Sequence, residues 1–289
     1  MGGSALLTAR ANAKINWSLS IAGRTAGGYH ALDMLMQSVS LSDTLTFRPA
    51  ADLSLVVDGR PAWDEKNLVC RAAALLRDRF RPDMGAALTL AKRVPAMAGL
   101  GGGSADAAAT LLGLNRLWGL GLPMEELLRL GLALGADVPF CLTGGFQRVS
   151  GIGEELDPLP APPALHLALV MPETGLSTAA VFGQYDLAPA PLPTDNAAAA
   201  RALLRGDFAA LDALSFNDLT APARALCPAV ARVLDDMAAL GARFARMSGS
   251  GSCCFGVFDD PAAACARLKA KHPQTFLVET RPCGVEFAE

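Results

Sequence analysis

The run Gly99-Leu100-Gly101-Gly102-Gly103-Ser104-Ala105-Asp106 constrains this chain more than any other stretch of its 289 residues. A glycine cluster costs conformational entropy, so it persists where backbone must bend tightly or come close to something. A strand-like segment, residues 86–93, precedes the run, and an alanine-rich helical segment follows it to about Trp118. Strand, glycine loop and helix in that order aim backbone N–H groups and a helix N-terminus at one point, a ready anion site. Ser104 is the expected cap of that helix, with Asp106 in its first turn. The alternative is a glycine turn that only lets the helix pack closely on a sheet.

Spacing excludes the familiar phosphate loops. A Walker A loop needs Lys then Ser or Thr after the glycines, and no Lys follows here. In the dinucleotide fingerprint G-x-G-x-x-G the sixth residue is Gly. Counted from Gly99 it is Ser104, and from Gly101 it is Asp106. The protein-kinase glycine loop fails on the same spacing.

Around this loop the chain alternates strand-like and helix-like stretches. Residues 6–10, 13–21, 44–47 and 53–57 read as strands. Residues 67–80 read as a helix, because Leu68, Ala72, Leu75, Leu76 and Phe80 recur at helical spacing. Pro123 opens another helix, with Glu125 and Glu126 where acids suit the dipole. Residues 156–163 hold four prolines and mark a linker or domain edge. Beyond them come a strand at 165–171 and a second Pro-rich stretch at 188–193. Helices at 197–204 and 222–240 follow, then strands at 244–247 and 253–258, a helix at 261–271 and a strand at 275–280. The tract Ser248-Gly249-Ser250-Gly251-Ser252 reads on its own as a hairpin turn.

Composition narrows the function classes. The net charge is −3 with acids and bases mixed, so no basic stripe points to nucleic acid. The 52% hydrophobic content includes 54 alanines, and without them the apolar share is about a third, as in ordinary globular chains. No apolar run of about 18 residues suggests a membrane span, and MGGSALLTAR does not read as a signal peptide. The seven cysteines form no C-x-x-C pair, which fits reduced thiols in a cytoplasmic protein. Three scattered histidines do not make a histidine metal site.

Polar residues stand out at three places. Lys14 and Asn16 alternate with Ile15 and Trp17, so they share one face of a strand. They are either solvent-facing or functional. Tyr29 and His30 follow a turn-rich stretch, where an aromatic ring can stack on a base and an imidazole can bond its edge. Asp137, in Gly-Ala-Asp-Val-Pro-Phe, is either a helix cap or a partly buried functional acid.

Four segments come in one order: AKINWSLSIAGRTAGGYH from residue 13, VPAMAGLGGGSADAAATLLGLNRLW from 94, LGADVPF from 134 and MSGSGSCCFGVF from 247. Together they resemble the GHMP kinases, the superfamily of galactokinase, homoserine kinase, mevalonate kinase and phosphomevalonate kinase. The glycine tract carries the superfamily resemblance. The first and third segments are similar to those members that act on a cytidine diphosphate of methylerythritol, in the non-mevalonate route to isoprenoid precursors.

The resemblance implies an α+β, two-domain fold with the active site in the interdomain cleft. Residues 1–158 would be a ribosomal-protein-S5-domain-2-like nucleotide domain, and residues 159–289 a ferredoxin-like α/β sandwich on the substrate side. It implies ATP, with Mg²⁺ accompanying the nucleotide, and transfer of phosphate to the 2-hydroxyl of the methylerythritol part. Lys14 and Asp137 would be the catalytic pair, Lys14 keeping the acid ionised. The phosphate loop would be Pro95, Ala96, Met97, Ala98, Gly99, Leu100, Gly101, Gly102, Gly103, Ser104 and Ala105, with Asn67 and Lys92 near the nucleoside. Asn16 would contact substrate. Tyr29, His30, Phe182 and Thr178 would surround the cytosine.

Metal ligands are not assigned by the resemblance; Ser104 is the one contact it suggests. Met97 and Ala98 stand where these kinases often have glycine or other small residues. The expected partner is the small-molecule cytidine diphosphate substrate, without nucleic acid or membrane, in a monomer or weak homodimer. Three rivals stand beside this reading. One is a related kinase with a non-cytidyl substrate. The glycine spacing opposes the second, a Rossmann oxidoreductase. The third, a silent binding protein on the same fold, is opposed by the presence of both Lys14 and Asp137.

Overall fold

A computed structural model describes residues 6–288; the N-terminal expectation on residues 1–5 and the position of residue 289 lie outside it. The chain opens with two long antiparallel strands, β1 (Leu7–Arg24) and β2 (His30–Ala50). Then come β3 (Leu53–Val57), β4 (Arg60–Pro61), α1 (Leu68–Phe80) and β5 (Gly85–Ala91). The glycine loop leads into α2 (Gly102–Leu117), α3 (Met124–Leu134) and α4 (Val138–Thr143). Strands β6 (Phe146–Gly151), β7 (Glu155–Pro158) and β8 (His166–Val170) follow. The helices α5 (Thr178–Leu187), α6 (Asn196–Leu204), α7 (Phe208–Leu214), α8 (Thr220–Leu226) and α9 (Ala229–Ala239) come next. The chain closes with β9 (Phe244–Met247), β10 (Cys254–Val257), α10 (Pro261–Lys271), β11 (Thr275–Arg281) and β12 (Val285–Phe287).

β2 organises the first sheet. It pairs with β1 along nearly its whole length, and with β5, β6 and β11. The second sheet is antiparallel, in the order β11-β8-β10-β9. It joins the first where Thr280 and Arg281 pair with Val39 and Ser38.

Several expectations are corrected. Residues 6–10 and 13–21 are one strand; the polar interruption at Asn12 is a register shift between Asn12 and Ala13, which a bulge absorbs without ending the pairing. Residues 44–47 lie near the end of β2, whose residues 30–43 carry no strand signal because Gln37, Ser38, Ser40, Ser42 and Asp43 break the apolar alternation. The helix expected over 222–240 divides, since Pro228 lacks an N–H and biases Cys227 away from helix. Helices α4, α5 and α7, and strands β6, β7 and β12, had no sequence signal strong enough to place them.

The alanines are structural. Ala105, Ala107, Ala108 and Ala109 are fully buried in α2, which packs against α1, α3, α4 and both long strands. Small side chains let a helix come close on every side, and each Ala also favours the helix. Trp17 anchors a second cluster on the other face, its ring 5.3 Å from Phe255 and 5.5 Å from Phe244. No helix among the described residues is long and apolar enough to cross a membrane.

Candidate active site

The glycine loop is pinned between β1 and the tract at 248–252. Lys14 N–H donates to the Leu100 carbonyl at 2.9 Å, and Cys253 N–H donates to that of Ala98 at 3.1 Å. Ser248 Oγ donates to the Gly99 carbonyl at 2.9 Å and accepts from Asn16 N–H at 3.3 Å. Gly99 has φ +72°, and an added Cβ would collide with the Ser248 carbonyl oxygen. The second small-residue tract is therefore a seat for the first, beyond a hairpin turn.

Gly101, at φ 69°, is the N-cap of α2 and makes no side-chain cap bond. Ser104 is thus the third helical residue and not the cap, and Asp106 is the fifth, just past the first turn, which has no acid. A left-handed glycine can start the helix with no side chain over its N-terminus. The amides of Gly102, Gly103 and Ser104 are left as donors in the first turn.

Beside this helix end lies the Lys14 ammonium, in a residue only 4% exposed. It donates to Asn16 Oδ1 at 2.7 Å and stands 3.6 Å from Asp137 Oδ2. The face-sharing read from sequence holds, but this face is interior: Asn16 is 1% exposed. Asp137 occupies the N-cap position of α4 without making a cap bond, and its side chain is 35% exposed. It keeps a free carboxylate edge at the cavity in place of a helix-capping role.

Lys92 has two partners that sequence reading did not foresee. Its ammonium pairs with Asp43 and, at 2.7 Å, with Asp106 Oδ2. Asp43 Oδ1 also accepts from Arg93 and Val94 amides at 2.5 and 2.9 Å. Burial opposes the charge on Lys92, but Asp106 and Asp43 outweigh it and hold the amine above its usual range. Burial pushes the Asp106 carboxyl up to about 7 against the pull of Lys92, with Asp43 adding to the rise. Asp106 was placed near the start of α2 without its partner, and Asp43 lies in the polar stretch of β2 that carries no strand signal. Asn67 caps α1, its Oδ1 accepting from Val69 N–H at 2.9 Å.

At the far end Tyr29 is 66% exposed, and His30 stacks on Phe182 with centroids 4.6 Å apart and planes 29° from parallel. His30 Nε2 lies 2.8 Å from Asp186 Oδ1, and Arg24 Nη2 is 2.7 Å from the other oxygen. Thr178 Oγ1 and Ser250 Oγ are 2.9 Å apart. Asp186 and Arg24 are further residues without a sequence signal: Asp186 sits on α5, which had none, and Arg24 ends β1 as an exposed charge before a turn.

The glycine loop, Lys14, Asn16, Asp137, Lys92, Asp106, Tyr29, His30, Phe182 and Thr178 border one cavity of about 1230 Å³, while Asp43, Arg24 and Asp186 stand behind its lining. Every residue assigned to a site by the resemblance lines it, except Ala105, which is packed inside α2. Met97 stands at its rim, 57% exposed at φ +55°, with its carbonyl accepting from Leu176 N–H at 2.9 Å. Among the described residues no three His, Cys, Asp or Glu side chains gather as a metal site.

Two family descriptions match the chain: "GHMP kinases N terminal domain" over residues 67–145 and "GHMP kinases C terminal" over 199–274. A 4-diphosphocytidyl-2-C-methyl-D-erythritol kinase of Moorella thermoacetica is 44% identical over 95% of this chain and 99% of its own. The protein of that name from Paramagnetospirillum magneticum is 45% identical over 91% of this chain and 94% of its own. A crystal structure of 4-(cytidine 5'-diphospho)-2C-methyl-D-erythritol kinase superposes with TM-score 0.81 at 34% identity, covering 94% of this chain and 98% of that one. A homoserine kinase from Cytophaga hutchinsonii shares the fold at TM-score 0.76 and 20% identity, covering 100% and 99% of the two chains.

Proposed function

The chain belongs to the GHMP kinases, and on that premise we propose that it transfers the γ-phosphoryl group of ATP to the 2-hydroxyl of 4-diphosphocytidyl-2-C-methyl-D-erythritol. It is a phosphotransferase of the non-mevalonate route to isoprenoid precursors, on the two-domain fold of its family. We place the domain division at residues 158 and 159, in the Pro-rich stretch after β7. The observation that carries the reading is one cavity with a phosphate cradle, a Lys–Asp pair and an aromatic cluster along it.

Phosphoryl transfer passes through a loose transition state, so positioning and charge stabilisation dominate. The first-turn amides of α2 and the loop backbone hold the β- and γ-phosphates without a Walker lysine. Asp137 orients the acceptor hydroxyl and takes its proton as the O–P bond forms. Lys14, fixed by Asn16, stands between that acid and the cradle, where it stabilises charge on the transferring group. Lys92 and Asn67 border the nucleoside side of the cavity. Tyr29, His30, Phe182 and Thr178 receive the cytidine end. Mg²⁺ arriving with ATP would offset the triphosphate charge; among the described residues no three His, Cys, Asp or Glu side chains gather to hold it, and Ser104 in the cradle is the side chain that would contact it.

Tyr29→Ala tests the substrate half. Base–aromatic stacking is worth about 1–3 kcal/mol, so KM for the cytidyl substrate should rise roughly 5- to 150-fold while KM for ATP stays nearly unchanged. Equal rises in both would contradict a cytosine site at Tyr29.

A further inference from the structure

Asp186 lies outside the phosphate machinery, yet it joins four parts of the chain. One carboxylate oxygen meets His30 Nε2 at 2.8 Å, and the other meets Arg24 Nη2 at 2.7 Å. Arg24 Nη1 also donates to the Gly28 carbonyl at 2.9 Å. The end of β1, the turn before Tyr29, the start of β2 and helix α5 are thereby tied together. Phe182, one turn earlier on α5, holds the face of the imidazole, and the Tyr185 ring meets it edge-on at 6.2 Å.

An ionised carboxylate can only accept hydrogen bonds. The His30 and Arg24 contacts hold Asp186 below the usual carboxylate range, so it stays an acceptor. The nitrogen facing it must then carry a proton. A neutral imidazole has one N–H, and placing it on Nε2 leaves Nδ1 as an acceptor. Nδ1 has no hydrogen-bond partner among the described residues, and His30 lines the cavity. An acceptor pairs with the exocyclic amine of cytosine, a donor, and opposes the keto oxygen that uracil carries at the same place.

We propose that Asp186, steadied by Arg24, is a specificity-determining positioning residue: it fixes His30 in the Nε2–H tautomer and so selects cytosine over uracil. The inference rests on the cytidyl reading of this end of the cavity.

The test has two arms. ¹⁵N NMR of the imidazoles at pH 8 reads the tautomer directly, and the chain has only three histidines to assign. His30 should be Nε2–H in the parent protein, mixed in Asp186→Asn, and restored in Asp186→Glu. In the second arm kcat/KM is compared for the cytidyl substrate and its uridyl counterpart. The parent should favour cytidine by about 100-fold or more, since a site built around one hydrogen bond rejects its mismatch strongly. Asp186→Asn should cut that ratio by at least about tenfold, chiefly through KM.

An Nδ1–H tautomer in the parent overturns the proposal. So does an Asp186→Asn variant that slows both substrates equally, as a purely structural residue would. A parent enzyme indifferent to the base removes the cytidyl reading itself and this inference with it. That failure is distinct, because the ratio is then already near one before any substitution.

Discussion

Lys14 shows how far a single residue can be read from sequence. Alternation with Ile15 and Trp17 gave its face, but not whether that face met water or protein. The deciding fact is tertiary: Leu100 and Asp137 converge on it from separate parts of the chain, beside its strand neighbour Asn16. Asp137 was legible as a polar residue among apolar neighbours, and its open edge explains why it makes no helix cap. Asp137→Asn should keep the shape and lose the proton acceptor. Its kcat should fall by on the order of 10²–10⁴, while the Kd for a non-hydrolysable ATP analogue, measured by calorimetry, stays within about threefold. Near-parent turnover would remove Asp137 from the chemistry. Asp106 was legible by position but not by its pairing with Lys92, while Asp43 and Asp186 were illegible because each matters only through partners far away in sequence: Asp43 through Lys92, and Asp186 through His30 and Arg24.

Among elements, those with strong local rules were the legible ones. β3, α1 and α10 lie within a residue of their expected bounds, helped by Asn67 and Asp260 as side-chain caps. The glycine loop was placed correctly, but its helix starts on Gly101 and not on Ser104, because a left-handed glycine leaves the amides uncovered. Gly99→Ala tests this packing. It adds left-handed strain of about 1–3 kcal/mol and a collision with Ser248, so melting should drop well below that of Gly59→Ala. Gly59 shares a positive φ, 78°, but has open space around it. Equal losses in the two variants would deny the contact.

The cluster of half-buried Lys92 with buried Asp43 and Asp106 gives α2 a pH signature. Asp106 has its carboxyl pushed from an ordinary 3.8 up to about 7. The folded state then binds a proton that the unfolded state has released, so this group's contribution to stability falls as pH rises from about 4 to about 7. Urea unfolding across that window should show Asp106→Asn gaining on the parent as pH rises. A constant difference would place the carboxyl in its ordinary range.

For the whole molecule, composition posed a question that packing answers. Four of the 54 alanines fill buried positions of α2, and Ala9, Ala11, Ala72 and Ala73 are buried in the same cluster, so part of the high hydrophobic fraction is close-packed core. Topology was less legible. β12 returns from the end of the chain to pair with β1, and no local pattern in three strand residues announces that. Arg116 lies 3.7 Å over the Phe287 ring, and Asn12 Nδ2 donates to Glu286 Oε1 at 3.0 Å. Removing residues 284–289 should therefore lower the melting temperature by roughly 5 °C or more, at about 2–4 °C per kcal/mol for a chain of this size. An unchanged melting temperature would mean that this closure contributes nothing. The joined cradle, Lys–Asp pair and aromatic cluster are tested together by ADP release with four acceptors: 4-diphosphocytidyl-2-C-methyl-D-erythritol, mevalonate, homoserine and galactose. Turnover should be confined to the cytidyl acceptor, and comparable kcat/KM with any of the other three, or none with the cytidyl one, would contradict the assignment.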